Sequence, residues 1–155
     1  MIIIGIDPGT ANTGYGIIQK GKSLKCLDYN VIRTKPGVEP GERLRFINNE
    51  ISKIIKQYQP DILAIEKLFF FKNLKTAIPV SQAKGSILLT AARKKLPVWE
   101  YTPLQIKLTV TGNGRADKKQ VQKSIQKLLK LKEIPKPDDA ADALAVAATY
   151  LLKEI

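Results

Sequence analysis

Residues 1–18 read MIIIGIDPGTANTGYGII, and this stretch decides the fold. Ile2, Ile3, Ile4 and Ile6 are β-branched and lead into Pro8-Gly9, so residues 2–7 predict a short buried strand closed by a turn. Residues 12–18 predict a second strand, although Gly14 and Gly16 weaken the pattern. Asp7 is the last residue before the turn, at the end of an otherwise apolar run. Either the Gly-Thr turn wraps a phosphate, or Asp7 is itself a metal ligand whose partners lie elsewhere in the chain.

Gly21 marks a hairpin turn, and residues 24–33 alternate like a half-exposed third strand. Leu44, Ile47, Ile51, Ile54 and Ile55 repeat at helical spacing over 42–57, before Pro60. Residues 61–66 predict a buried strand, 74–93 a helix interrupted by Pro79 and Gly85, and 96–101 the last strand. Pro103 opens a helix to about 110, a basic helix covers 117–131, and a final helix runs 138–152. The order predicts an α/β domain over residues 1–155: a five-stranded mixed sheet with a three-strand antiparallel meander and helices on both faces.

The 155 residues favour one domain with a substantial core. No apolar run is long enough for a membrane span, and no basic segment precedes the isoleucines, so a soluble cytoplasmic protein is expected. Cys26 is the single cysteine, which excludes an internal disulfide and a thiolate cluster. There is no histidine, which excludes histidine triads and most zinc sites. Net charge is +12, from 26 Lys+Arg against 14 Asp+Glu. Nine basic residues fall between Lys107 and Lys136, opposed only by Asp117 and Glu133, which points to a polyanion such as nucleic acid.

Four acids stand out. Asp7 and Glu66 end apolar strands; parallel neighbours would bring both to one end of the sheet, although each could simply mark where a strand meets solvent. Asp139 and Asp142 are three apart and share a helix face. Asp138 fits as a first-turn acid that caps free N–H groups. Asp142 is followed by alanine, leucine and valine, so its charge requires a partner, a base or a metal. Clustered carboxylates repel one another, and hard divalent cations such as Mg²⁺ or Mn²⁺ relieve that repulsion through oxygen ligands. A metal pair suits phosphodiester cleavage and needs no histidine.

The segments GIDPGTANTGYGI, AIEKLFF, YTPLQIKLTVTGNG and DAADALAVA occur in order along nearly the whole chain. Together they resemble the RuvC Holliday-junction resolvases, which have an RNase H-like fold. The resemblance implies catalytic, metal-holding acids at Asp7, Glu66, Asp139 and Asp142, probably the strongest expectation testable by geometry, since residues 7 and 142 must meet. It implies Mg²⁺, with Mn²⁺ able to substitute and two ions per site. It implies DNA contacts at Phe69, Phe70, Lys72, Asn73, Lys107 and Lys118, with Lys119 adding general charge; Phe71 is read as packing or as part of a dimer surface. The implied activity is paired symmetric nicking of a four-way DNA junction by a homodimer, leaving 5′-phosphate and 3′-hydroxyl ends, in DNA recombination and repair. RuvA/RuvB branch-migration machinery is the implied partner of a cellular member. Three other readings stay open on the residues alone: a junction binder without catalysis, an ATP-phosphate cradle as in actin-like ATPases, and an RNA-processing nuclease of the same fold.

Overall fold

The structure, a computed structural model, describes residues 1–68 and 74–155. Its strands are β1 (Ile2–Asp7), β2 (Asn12–Lys20), β3 (Leu24–Arg33), β4 (Ile62–Glu66) and β5 (Val98–Tyr101). Its helices are α1 (Pro40–Tyr58), α2 (Leu74–Arg93), α3 (Pro103–Thr111), α4 (Lys118–Leu128) and α5 (Asp138–Lys153). The strands form one mixed sheet in the order β3-β2-β1-β4-β5. The first three make the antiparallel meander, while β4 and β5 run parallel to β1.

Strand alternation divides the core into two layers. Ile4, Ile6, Ile17, Leu63 and Ile65 pack against Ile47 and Ile51 of α1 and Ile87 of α2. Ile3, Ile18 and Ala64 pack on the opposite face, against α5 and Ile106, Val121 and Ile125 of α3 and α4. Local chemistry sets the helix starts. Thr102 and Asp117 each close a capping box, with Gln105 and Gln120 respectively, and Pro40 occupies the first turn of α1 behind a Glu39 cap.

Several boundaries differ from the sequence reading. β5 begins at Val98 rather than at residue 96. Leu96 is buried in the core, and Pro97 has no N–H to donate, serving the sheet only through its carbonyl, which accepts from Leu63 N at 2.9 Å. α4 stops at Leu128, short of residue 131, where Leu129 N caps Ile125 O and Lys130 turns left-handed at φ 53°. α2 runs through both Pro79 and Gly85. Pro79 lies near the helix start, where a proline forfeits little hydrogen bonding.

The glycines of β1 and β2 do not weaken the sheet; they let α5 approach it. A Cβ on Gly5 would strike the Ala143 carbonyl, and one on Gly14 would strike the Asp139 carbonyl. Both obstacles are backbone and cannot rotate away. At Gly16 the obstacle is the Leu144 side chain, whose Cδ2 would lie 2.7 Å away and can shift. Gly14→Ala is therefore expected to destabilise the fold by about 1–3 kcal/mol through overpacking, read from the urea midpoint. Gly16→Ala should cost less, and an unchanged midpoint for Gly14→Ala would show that α5 is not seated as described.

Candidate active site

The parity that buries Ile3 and Ala64 also places Asp7 and Glu66 on the α5 face of the sheet. β1 and β4 pair in parallel up to Ile6 and Ile65, so Asp7 and Glu66 are the next step of that register. Asp7 also pairs with Gly14 across β2, and Gly14 is the residue on which the Asp139 backbone rests. That contact carries the first turn of α5 over the end of β1. Carboxylate oxygens of Asp7, Asp139 and Asp142 all lie within 4.8 Å of one another. Glu66 stands beside them, lining a cavity of about 250 Å³ with Asp142, Lys107, Lys118 and Ile106.

Burial and mutual repulsion push these acids up. Asp7 rises to about 8, first through loss of water and then through the charges of Glu66, Asp142 and Asp139, with Lys118 opposing. Glu66 rises to about 7 through burial and then Asp142, against Lys107, Lys118 and Lys84. Asp142 is raised chiefly by burial, and its bond to Lys118 holds it back. Burial alone would lower the Lys118 ammonium, but the hydrogen bond and charge of Asp142, followed by Asp138, outweigh it and raise it.

The partner that Asp142 required is therefore at least a base: Lys118 Nζ lies 3.1 Å from its Oδ2. The same ammonium is 3.5 Å from Asp138 Oδ2. Asp138 does not cap the helix as its position suggested. The N-cap is Pro137, with no side-chain cap bond, and Asp138 instead accepts from Gln122 Nε2 at 3.0 Å. Gln122 is nearly buried on α4, so this bond ties α4 to α5 beside the acids. No sequence signal singled it out, because its role depends on how the two helices meet.

The turn after Asp7 is fastened from both sides. The buried Thr13 hydroxyl donates to the Gly9 carbonyl, and Thr34 donates through its N–H to Ala11 O at 3.0 Å and through its hydroxyl to Thr10 O. Lys107 lines the cavity, whereas Lys119 is exposed on α4 and is not part of that lining. Phe69, Phe70, Phe71, Lys72 and Asn73 lie outside the described residues. Lys84, whose charge reaches Glu66, was not anticipated; it is held in an ion pair with Glu100 between α2 and β5.

Residues 3–150 match the family described as "Crossover junction endodeoxyribonuclease RuvC". A protein of that name from Caldicellulosiruptor saccharolyticus is 53% identical over 154 residues, covering 98% of this chain and 93% of the relative. One from Fusobacterium nucleatum is 52% identical over 152 residues, covering 97% and 80%. Among solved structures, Thermus thermophilus RuvC superposes with a TM-score of 0.91 at 33% identity, covering 99% of this chain and 95% of that one. The same organism's RuvC in complex with a Holliday junction substrate gives 0.94 at 33% identity, covering 99% and 94%. With the RNase H-like sheet, the acids gathered at its end and this similarity along almost every residue, the chain belongs to the RuvC family.

Proposed function

We propose that the chain is a crossover junction endodeoxyribonuclease, a structure-selective enzyme that resolves four-way DNA junctions in recombination and repair. The observation that carries this reading is the meeting of acids from β1, β4 and α5 in a cleft that also presents Lys107 and Lys118. Such a cleft combines a site for hard cations with charge for the phosphate backbone. We take residues 1–155 as a single nuclease domain.

The donors are all carboxylate oxygens, partly exposed and mutually repelling, which fits Mg²⁺, with Mn²⁺ as a substitute. Asp7, Asp139 and Asp142 would hold one ion, and Glu66 at the cluster's edge would help to hold a second. The bound cations supply Lewis-acid stabilisation of the charge that builds on the phosphoryl and leaving oxygens. The chain's own groups position the substrate. Lys107 and the half-exposed Lys118 meet backbone phosphates, and Asp138 with Gln122 holds Lys118 on the cavity side of α4. Phe69 and Phe70 stack on or wedge between bases near the cut, with Lys72 and Asn73 beside them, as the family resemblance implies. Lys119 contributes general electrostatic attraction.

One chain carries one such cleft, and paired symmetric nicking needs two, so the working unit is a homodimer. Its products carry 5′-phosphate and 3′-hydroxyl ends. RuvA/RuvB-type branch-migration machinery is the expected partner in a cell. Among the described residues no helix is long and apolar enough to cross a membrane; we place the enzyme in the cytoplasm.

The test compares cleavage of a labelled four-way junction, a linear duplex of the same sequence and an RNA–DNA hybrid, each with and without Mg²⁺. Cutting confined to the junction and to the Mg²⁺ samples is expected. An intact junction across divalent ions and pH would leave a binding protein, and preferential cutting of the hybrid would make this an RNA-processing enzyme.

A further inference from the structure

A second cavity, of about 320 Å³, opens at the same end of the sheet as the acids. Arg33, Lys35, Arg43, Arg45 and Phe46 line it. Its position follows from the strand register. Arg33 ends β3 opposite Asn12, and Asp7 ends β1 opposite Gly14. The groove and the acids are thus two strand spacings apart, about 10 Å, which is roughly three base pairs of duplex rise.

The groove is built rather than incidental. Thr34 fastens its loop, residues 34–39, to the turn that follows Asp7. Arg43 donates through Nε at 3.3 Å and Nη2 at 3.2 Å to the Lys35 carbonyl, which fixes the other end of the loop. Four cations face Glu42, which pairs with Arg45 at 2.6 Å, while the Glu39 carboxylate is spent on the α1 cap. Phe46 is 45% exposed although its neighbour Ile47 is wholly buried, so the core does not account for it. A merely solvated basic face would need neither a fixed loop nor an exposed aromatic ring. Arginine, lysine and a phenylalanine along one groove are the chemistry of a nucleic-acid strand.

We propose that this groove binds the sugar-phosphate backbone of the DNA arm next to the cut, with Arg33 and Lys35 on phosphates and Phe46 against a sugar or base edge. The proposal rests on the reading of the chain as a junction nuclease and extends its footprint beyond the cleft. It assigns to the meander side of the sheet a role in holding substrate.

The experiment is fluorescence anisotropy of a labelled four-way junction, without Mg²⁺, over a series of salt concentrations. Arg33→Gln with Lys35→Gln should weaken binding roughly tenfold and reduce the slope of log K against log salt by about 1.8, or 0.9 for each phosphate released. Phe46→Leu, which keeps apolar bulk, should weaken binding a fewfold and leave the slope unchanged. Lys22→Gln with Lys25→Gln removes the same charge at the opposite end of the sheet and should leave both quantities near wild type. Equal losses in the two double variants, or no change of slope in the first, would overturn the proposal. So would an inorganic phosphate site that Arg33→Gln with Lys35→Gln abolishes while junction binding stays intact. A wild-type protein that neither binds nor cuts junctions rejects the nuclease reading itself; a wild type that cuts, beside an unaffected double variant, rejects the groove alone.

Discussion

Asp7→Asn is expected to lower junction cleavage on the order of 1,000-fold while junction affinity stays within about threefold of wild type. The magnitude follows from losing several kcal/mol of charge stabilisation at the reacting phosphate, at tenfold for each 1.4 kcal/mol. Affinity survives because Lys107, Lys118 and the basic surface are untouched, and removing an acid reduces repulsion toward phosphate. Single-turnover cleavage at saturating protein, beside anisotropy on the same junction, separates the two quantities. Substantial Mg²⁺-dependent cutting by the variant would reject Asp7 as a cation-holding residue.

Stability of the cation-free protein should fall as pH rises from about 4 to about 8. Asp7 moves from its ordinary 3.8 to about 8, and Glu66 from 4.5 to about 7. Between those values the folded chain holds protons that the unfolded chain has released. Stability therefore declines with pH across the window, and the loss is complete above it. The acids titrate as an interacting group, so the decline is a single broad one. It should amount to about 3 kcal/mol, or a drop in melting temperature of roughly 10 °C. Millimolar Mg²⁺ should recover much of this at pH 8 by binding the folded state, and little at pH 5, where the carboxyls are protonated. Asp7→Asn should raise the cation-free melting temperature at pH 8. A flat or rising curve in calorimetry would mean that the carboxylates are not held together in solution.

What could be read from the sequence was whatever depends on neighbours along the chain. The isoleucines of β1, the helical spacing of Ile47, Ile51 and Ile54, and the threonine and aspartate caps carry their meaning in a few residues. Asp7 and Glu66 stood out because a charge at the end of an apolar strand is costly unless the strand ends at something. What could not be read depends on which surfaces meet. Gly14 looked like a weak point in a strand because its function is to make room for a helix more than 120 residues later. Asp138 looked like a cap because Gln122 and Lys118, which engage it sideways, arrive from another helix. Pro97 shortens β5 for a local reason, the missing N–H, that the apolar run around it concealed.

Bare main chain at Gly5 and Gly14 forms the floor on which the last helix stands. The span from Asp7 to Asp139 is thereby set by atomic radii, not by the rotamers of an intervening side chain. Conservative exchanges among the isoleucines under α1 and α2 can alter how firmly the protein holds together, yet they act on the far side of this floor. The enzyme can drift in its outer layer and still keep the same interval between its acids.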